Sequence, residues 1–505
     1  FIHTSDTHIG ASGTRDSQNL QWIVTQGKNI INPNFIVVTG DLTDSTNGNI
    51  LGWPNGPYQA EWDQYSNILS NNVDASFYYD IPGNHDAYND KYFAYYRANS
   101  IQGRATGHTQ ISWTRDFPFG KYHFLGINTA DNTGAAFSLT SPYGDHAGLD
   151  TDELAFISQE LQLHPDASLT LIFGHHPLAS TGNSTDTYVY YGAGEFIDLM
   201  DIYHSSLYGY GHLHSFGEDF FTQGMTEGIF YFRVASLGKS SENQFSVSAI
   251  DCNGISTITQ TINTWPIVLI TTPLDRYLGN RINPYSYTVP NSTSNPIRTL
   301  VFDPNPVQGV QYRVDDGTTW RQMANVSTNP YLWEAAWDAS NLLEGEHTIE
   351  VQAATASGIR SNVITVYVKG QQLPLAGVVD TPVTGKYVTT GTKKNKVTTF
   401  VQTSTYKQGD GVVIRPHVID VKTQAPVPNA TVQITISGPQ TLVLTSGPTS
   451  SNGTAEVQWN TSAPNKRGVG GTPPGPYTAT LTNVSASGYN WDGTRAYVGF
   501  TLESK

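Results

Sequence analysis

Asp6 and His8 lie just past a short apolar run, Phe1-Ile-His-Thr-Ser5, and offer a carboxylate oxygen and an imidazole nitrogen two positions apart. On an extended chain alternate residues point the same way. Both are therefore expected to face one point beyond a strand's C-terminal end, where α/β folds place ligands. Four later stretches repeat the format. Phe35-Ile-Val-Val-Thr-Gly40 delivers Asp41, and Phe77-Tyr-Tyr-Asp-Ile-Pro-Gly83 delivers Asn84, His85 and Asp86. Leu169-Thr-Leu-Ile-Phe-Gly174 delivers His175 and His176, and Ser206-Leu-Tyr-Gly-Tyr-Gly211 delivers His212 and His214. The glycine before each polar group permits a tight turn and leaves room for an ion or a substrate. Oxygen from Asp and Asn combined with nitrogen from His suits Zn, Mn or Fe, and is too nitrogen-rich for Ca or Mg alone. No cysteine is nearby, which excludes a thiolate site.

These strand ends need elements to hold them. Apolar positions Leu20, Ile23, Val24, Ile30 and Ile31 predict an amphipathic helix over 14–31. A second helix is expected over 59–71, and a third over 151–164, where Asp150 and Glu153 form a start like a capping box. Strand-like runs at 229–235, 244–250 and 255–262 read as an antiparallel meander closing the domain. Strands alternating with helices argue an α/β domain over residues 1–262.

Taken in order from Asp6 to His214, Asp-x-His, Gly-Asp, Gly-Asn-His-Asp, Gly-His-His and Gly-His-x-His resemble the calcineurin-like metallophosphoesterases. The resemblance implies a four-layer αββα sandwich carrying two transition-metal ions. One ion would take Asp6, His8 and His214, the other Asn84, His175 and His212, with Asp41 bridging them. It further implies hydrolysis of phosphate mono- or diesters by attack of a metal-bridging hydroxide. His85 would stand near the leaving group as general acid or transition-state stabiliser, oriented by Asp86. Asp44 stands where purple acid phosphatases have a tyrosine ligand, so a tyrosinate–iron(III) pair is not expected. His176, followed by Pro177, is expected to support the site from behind. Trp53, Tyr58, Tyr88, Tyr143, Asp145 and His146 lie in segments able to overhang the metals, and His146 is the candidate substrate contact.

A chain of 505 residues suggests about three domains. After Trp265-Pro266, residues 263–370 read as short strands with turn signals, an Ig-like β-sandwich whose core Trp320, Trp333 and Trp337 would fill. A phosphoesterase followed by such a sandwich resembles the transmembrane protein 62-like proteins. No apolar run reaches the ~18–20 residues a membrane helix needs, so a membrane role does not transfer. Residues 371–396 read as a linker and 397–505 as a second Ig-like sandwich. The single cysteine, Cys252, excludes an intramolecular disulfide and is expected to be a small buried hydrophobe. The numbering begins directly on a site strand, so a segment upstream is expected.

The net charge is −15 with no long basic run, which disfavours bulk nucleic acid as a partner. Only 14% of residues are charged, which suits an extracellular or cell-surface protein. Of the Asn-x-Ser/Thr sequons, Asn183, Asn291, Asn325, Asn429, Asn452, Asn460 and Asn483, six lie after residue 290, as in a glycosylated, secreted C-terminal half. The expected partners are a phosphorylated small molecule or phosphodiester at the metals, and a surface glycan or a second copy at the sandwiches. The alternative reading is a structural, adhesive or filament-forming surface protein that keeps a phosphatase-like domain as scaffold.

Overall fold

The computed structural model describes residues 1–11, 15–46, 56–130, 147–178, 188–189, 191–220, 229–239, 243–278, 281–370, 373–378, 380–392 and 395–505. The chain forms two compact units, Phe1–Gly370 and Gln371–Lys505.

In the first unit two sheets lie face to face. One has the order β11 (Gly254–Thr261), β10 (Gln244–Asp251), β1 (Ile2–Thr4), β2 (Ile36–Thr39), β3 (Tyr78–Ile81). The other runs β4 (Ile111–Phe117), β5 (Gly120–Gly126), β6 (Leu169–Phe173), β7 (Leu207–Tyr210), β9 (Phe230–Arg233), β8 (Gly217–Phe220). Strands β1 to β3 are parallel, as are β5, β6, β7 and β9. Between the sheets Val37, Tyr79 and Ile81 meet Trp113, Phe124, Leu171, Phe173 and Phe232. The alternate residues Ile36, Val38 and Tyr78 turn outward under Leu20, Ile23, Trp62 and Tyr65 of the helices. On the opposite outer face Leu125, Ile172 and Tyr208 pack under Ile157 and Leu161 of the helix Thr151–Leu163 and under Phe196 of Ala193–Ile202. The result is the four-layer αββα sandwich.

The predicted helix over 14–31 is helical from Arg15, with a π turn at Ile23–Gly27 between Arg15–Trp22 and Lys28–Ile31. The predicted meander is corrected. β9 pairs with β7 in one sheet, whereas the β10–β11 hairpin returns beside β1 in the other. The apolar runs were legible; which sheet each joined was a long-range choice.

His3 sits fully buried between the sheets, its Nε2 3.0 Å from Thr39 Oγ1. Burial pushes its pKa down to about 3, against the pull of Asp6. The unfolded chain takes up that proton near the ordinary 6.5, so the stability this group contributes is whole above pH 6.5. It is lost as pH falls from there toward 3, at about 1.4 kcal/mol per pH unit. Urea midpoints of the metal-free protein should therefore show an acid loss between pH 6.5 and 5 that His3→Gln reduces by about 2 kcal/mol. An unchanged pH slope in the variant would exclude His3 as the source.

Residues 267–368 form two further four-stranded sheets around Val310, Trp337, Ile349, Val351 and Val366. Trp337 is the core tryptophan; Trp333 packs at its edge, and Trp320 lies 4.7 Å from the Arg313 guanidinium instead. Strand β12 (Ile267–Thr272) belongs to two cores at once. Val268 and Ile270 face the sandwich, while Ile267 and Leu269, with Phe302 from the neighbouring strand, join the cluster of Leu20 and Trp62.

The second unit is β throughout and packs around Tyr406, Val432, Ile434, Trp459, Tyr477 and Phe500. It takes in most of the stretch predicted as linker. Leu375–Gly377 and Val383–Thr392 are strands, the latter paired with Asn395–Gln402 and Gly411–Arg415. Much of Val383–Thr392 is exposed, so its polar Thr-rich sequence carries little of the apolar signal that marks a strand. Cys252 is also corrected. It is exposed in the turn between β10 and β11, with φ of 51°.

Candidate metal centre

All five polar clusters meet at the C-terminal ends of β1, β2, β3, β6 and β7. Simple alternation does not bring them there, because β1 stops at Thr4 and β7 at Tyr210. Beyond these ends Asp6, His8, Asp41, His212 and His214 have φ of 54°, 41°, 52°, 66° and 55°, the left-handed region that non-glycine residues avoid. Left-handed turns, rather than extended chain, swing these side chains inward. Strained backbone of this kind persists where its surroundings over-determine it. The Asp6 amide donates to Gly40 O, and the Asp6 carbonyl accepts from Ser236 Oγ and the Gly238 amide. Gly83 and Gly211 are required by contact, since a Cβ would lie 2.3 Å from Asp41 Oδ1 and 1.9 Å from Ser5 Oγ respectively.

The donor atoms fall into two groups joined by one oxygen. In the first, His214 Nε2 lies 3.2 Å from Asp6 Oδ1 and 3.1 Å from His8 Nε2, and His8 Nε2 lies 3.4 Å from Asp41 Oδ2. In the second, His175 Nε2 lies 3.3 Å from Asp41 Oδ2, and Asn84 Oδ1 lies 3.0 Å from both His175 Nε2 and His212 Nδ1. Atoms so spaced can each sit about 2.0–2.2 Å from a common ion. Asp6 Oδ1 is buried and accepts no hydrogen bond, which an oxygen meant for a cation need not do. The residues present fit a pair of transition-metal ions.

The surroundings are ordered in the same sense. Asp44 Oδ1 lies 3.1 Å from His8 Nδ1 and the Thr39 carbonyl 2.7 Å from His175 Nδ1, partners that fix which ring nitrogen faces inward. Burial works against a proton on His175, but the Asp41 charge outweighs it and raises the pKa to about 9. A cation at Nε2 must displace that proton, so affinity rises with pH. The backbone N–H of His85 donates to Asp41 Oδ1 at 2.9 Å, and its ring Nδ1 contacts the Asp44 carbonyl. Its side chain is 12% exposed and that of His214 31%, whereas those of His8 and His175 are closed off, so solute reaches the centre from the His85 and His214 side.

Asp86 does not orient His85. Its carboxylate accepts from the amides of Gly83, Leu42 and Thr43 at 2.9, 3.0 and 3.1 Å, and from Thr43 Oγ1 at 3.2 Å. It sits at the third position of the short helix Asn84–Ala87, and there its side chain turns back to the helix start. It fixes the two glycine turns against each other, while Asp44 takes the orienting role. His176 has Nδ1 3.0 Å from Thr129 Oγ1 and its ring 4.5 Å from that of His212, and one of its nitrogens lies within 4.8 Å of ligand atoms of both His175 and His212. Tyr88 reaches the site, accepting from Asn84 Nδ2 at 2.8 Å, and Tyr58 starts the helix Gln59–Ser70. Trp53, Tyr143, Asp145 and His146 lie outside the described residues.

One residue was missed. Lys239 Nζ lies 3.2 Å from Asp44 Oδ1, a cation at the rim. The signal was present: Phe230 to Gly238-Lys239 is a fifth run of strand, glycine and polar residue, hidden by its longer spacing.

Residues 1–216 match the family model of the calcineurin-like phosphoesterases. This domain belongs to that family. Immediately after the calcineurin-like domain, residues 262–372 match the Ig-like domain of TMEM62. Transmembrane protein 62 of Mus musculus is 27% identical over 339 residues, covering 65% of this chain and 48% of the mouse protein. An Arabidopsis thaliana protein named for the metallophosphoesterases is 26% identical over 376 residues, covering 63% of this chain and 48% of its own. The chain thus spans about half the length of the curated relatives it matches. Among solved structures a dimetal phosphatase from Danio rerio aligns with 52% of this chain and 98% of its own, at 13% identity and a TM-score of 0.38. Among the described residues no helix is long and apolar enough to cross a membrane.

Proposed function

We propose that the calcineurin-like domain hydrolyses phosphate mono- or diesters at a dinuclear metal centre held by Asp6, His8, Asp41, Asn84, His175, His212 and His214. The observation that carries this reading is the sharing of Asp41 Oδ2 between two donor groups, 3.4 Å from His8 Nε2 and 3.3 Å from His175 Nε2. Two bound ions supply charge neutralisation and water activation at neutral pH. The chain supplies the rest. Asp44 and the Thr39 carbonyl hold the histidine rings, and the wall of Asp6, His8 and His175 excludes water from below. His85, on the open side and 3.9 Å from Asp41 Oδ2, meets the ester oxygen that leaves. Lys239 balances Asp44, so that carboxylate does not repel an incoming phosphate.

The test is the metal content of the purified chain together with hydrolysis of p-nitrophenyl phosphate and bis-p-nitrophenyl phosphate. At least two Zn, Mn or Fe per chain, with turnover of either ester abolished by a chelator, is expected. A chain that binds no metal and stays inert after Mn or Zn is added back would overturn the proposal. With every candidate ligand in place, no observation favours the scaffold reading. An extracellular or cell-surface location is part of the proposal. It is supported by the exposure of Asn291, Asn325, Asn429, Asn452, Asn460 and Asn483, and a mass shift on glycosidase treatment of natively produced protein tests it.

A further inference from the structure

Outside the centre a second group of metal-ligating side chains stands on β5 and the helix Thr151–Leu163. His123 lies on the face of β5 that also carries Leu125, toward the helix, while Tyr122 and Phe124 face the inter-sheet core. On the helix Ile157 and Leu161 pack over that face. Seven residues after Ile157 the same stripe continues at His164, where another apolar residue would extend the core. Glu160, four residues before His164, lies on the same side. One ligand atom each from His123, Glu160 and His164 lies within 4.8 Å of the others. The two imidazole rings are 4.1 Å apart, and Glu160 Oε2 is 3.9 Å from His164 Nε2.

Two features distinguish this group from a chance surface cluster. His123 is fully buried, and its Nδ1 has no hydrogen-bond partner. Its other nitrogen, Nε2, is 3.1 Å from Ser112 Oγ. With Nε2–H donating to that hydroxyl, Nδ1 is left with an unshared lone pair, the arrangement that orients histidine ligands elsewhere. A buried polar atom without a partner is costly, and a cation would satisfy it. Lys121, two residues before His123 on the same strand, is held by Asp166 at 2.7 Å.

We propose that His123, Glu160 and His164 form a third metal site, for a single divalent transition ion of the zinc type. Two imidazoles and one carboxylate suit zinc, leaving a fourth position for water. Ligand atoms around tetrahedral zinc stand about 3.3 Å apart, so the three side chains, whose ligand atoms lie within 4.8 Å of one another, need to close by about 1.5 Å at most. The site is remote from the dinuclear centre. Glu153 accepts from the Asn128 amide at the catalytic end of the helix, and His164 lies about 16 Å further along it at 1.5 Å per residue. Its role is to pin the end of the helix to the sheet.

The experiment uses the full chain, stripped of metal, re-equilibrated with zinc and freed of excess, with zinc counted by mass spectrometry. Wild type should carry one zinc more than His164→Ala and than Glu160→Gln, while both variants, reloaded, turn over p-nitrophenyl phosphate as wild type does. The count is repeated with Asp41→Asn as the parent, so that it does not depend on the dinuclear centre. There, zinc should raise the melting temperature by several degrees, and adding His164→Ala should abolish the rise. Equal zinc counts in parent and variants, in both backgrounds, would overturn the third site.

Discussion

Asp41→Asn should empty both halves of the dinuclear centre together, with that centre's share of the metal falling from about two ions to fewer than one and turnover dropping by about 10³-fold. The size follows from position. Loss of an outer-shell partner alone costs about 10–100-fold, and Asp41 Oδ2 stands in the donor groups of both His8 and His175. The substitution removes a charge and keeps the shape. It also keeps the backbone, because asparagine is among the few residues that tolerate the left-handed conformation Asp41 holds at φ of 52°. A folded variant that loses metal therefore reports on coordination. The check is elemental analysis beside the unfolding curve of the metal-free protein. Metal content and turnover equal to wild type in the variant would remove Asp41 from the bridging role.

The second large effect belongs to His85. His85→Ala should lower turnover by about 10²–10⁴-fold and leave the metal content intact. Its ring comes no nearer than 3.9 Å to Asp41 Oδ2, and the hydrogen bond it gives that carboxylate comes from its backbone N–H, which alanine retains. The pattern across substrates separates its two readings. A proton donor is missed most when the leaving group is a poor one, so an alkyl phosphate should suffer more than p-nitrophenyl phosphate. An equal loss for both would mean that the ring stabilises charge on the phosphoryl group without giving up a proton. Undiminished turnover would remove His85 from the reaction.

The ligands were legible in the sequence because each follows a short strand-like run, in four of the five cases ending in a glycine, a local signal that survives without knowledge of the fold. The way they converge was not. Extension and left-handed turns both put Asp6 beside His8, and only the long-range bonds from Asp6 to Gly40, Ser236 and Gly238 select the turns. Asp86 was misread for a related reason. The resemblance implied that it orients His85, whereas the short helix turns its carboxylate to Leu42 and Thr43. Lys239 and the pair His123 and His164 escaped because their partners are distant in the chain. The polar hairpin after residue 383 escaped because exposed strands need little apolar sequence.

Strand β12 sets where this protein can be divided. Since Ile267 and Leu269 help close the core that also holds Leu20 and Trp62, the cut suggested by the family match near residue 262 runs through shared packing rather than between neighbours. A recombinant fragment ending there would carry a raw apolar wound and should precipitate or recruit a chaperone. A fragment ending at Gly370 keeps the seam whole. The same seam bears on domain exchange: in this chain, replacing either domain alone would leave Ile267, Leu269 and Phe302 without the partners they pack against.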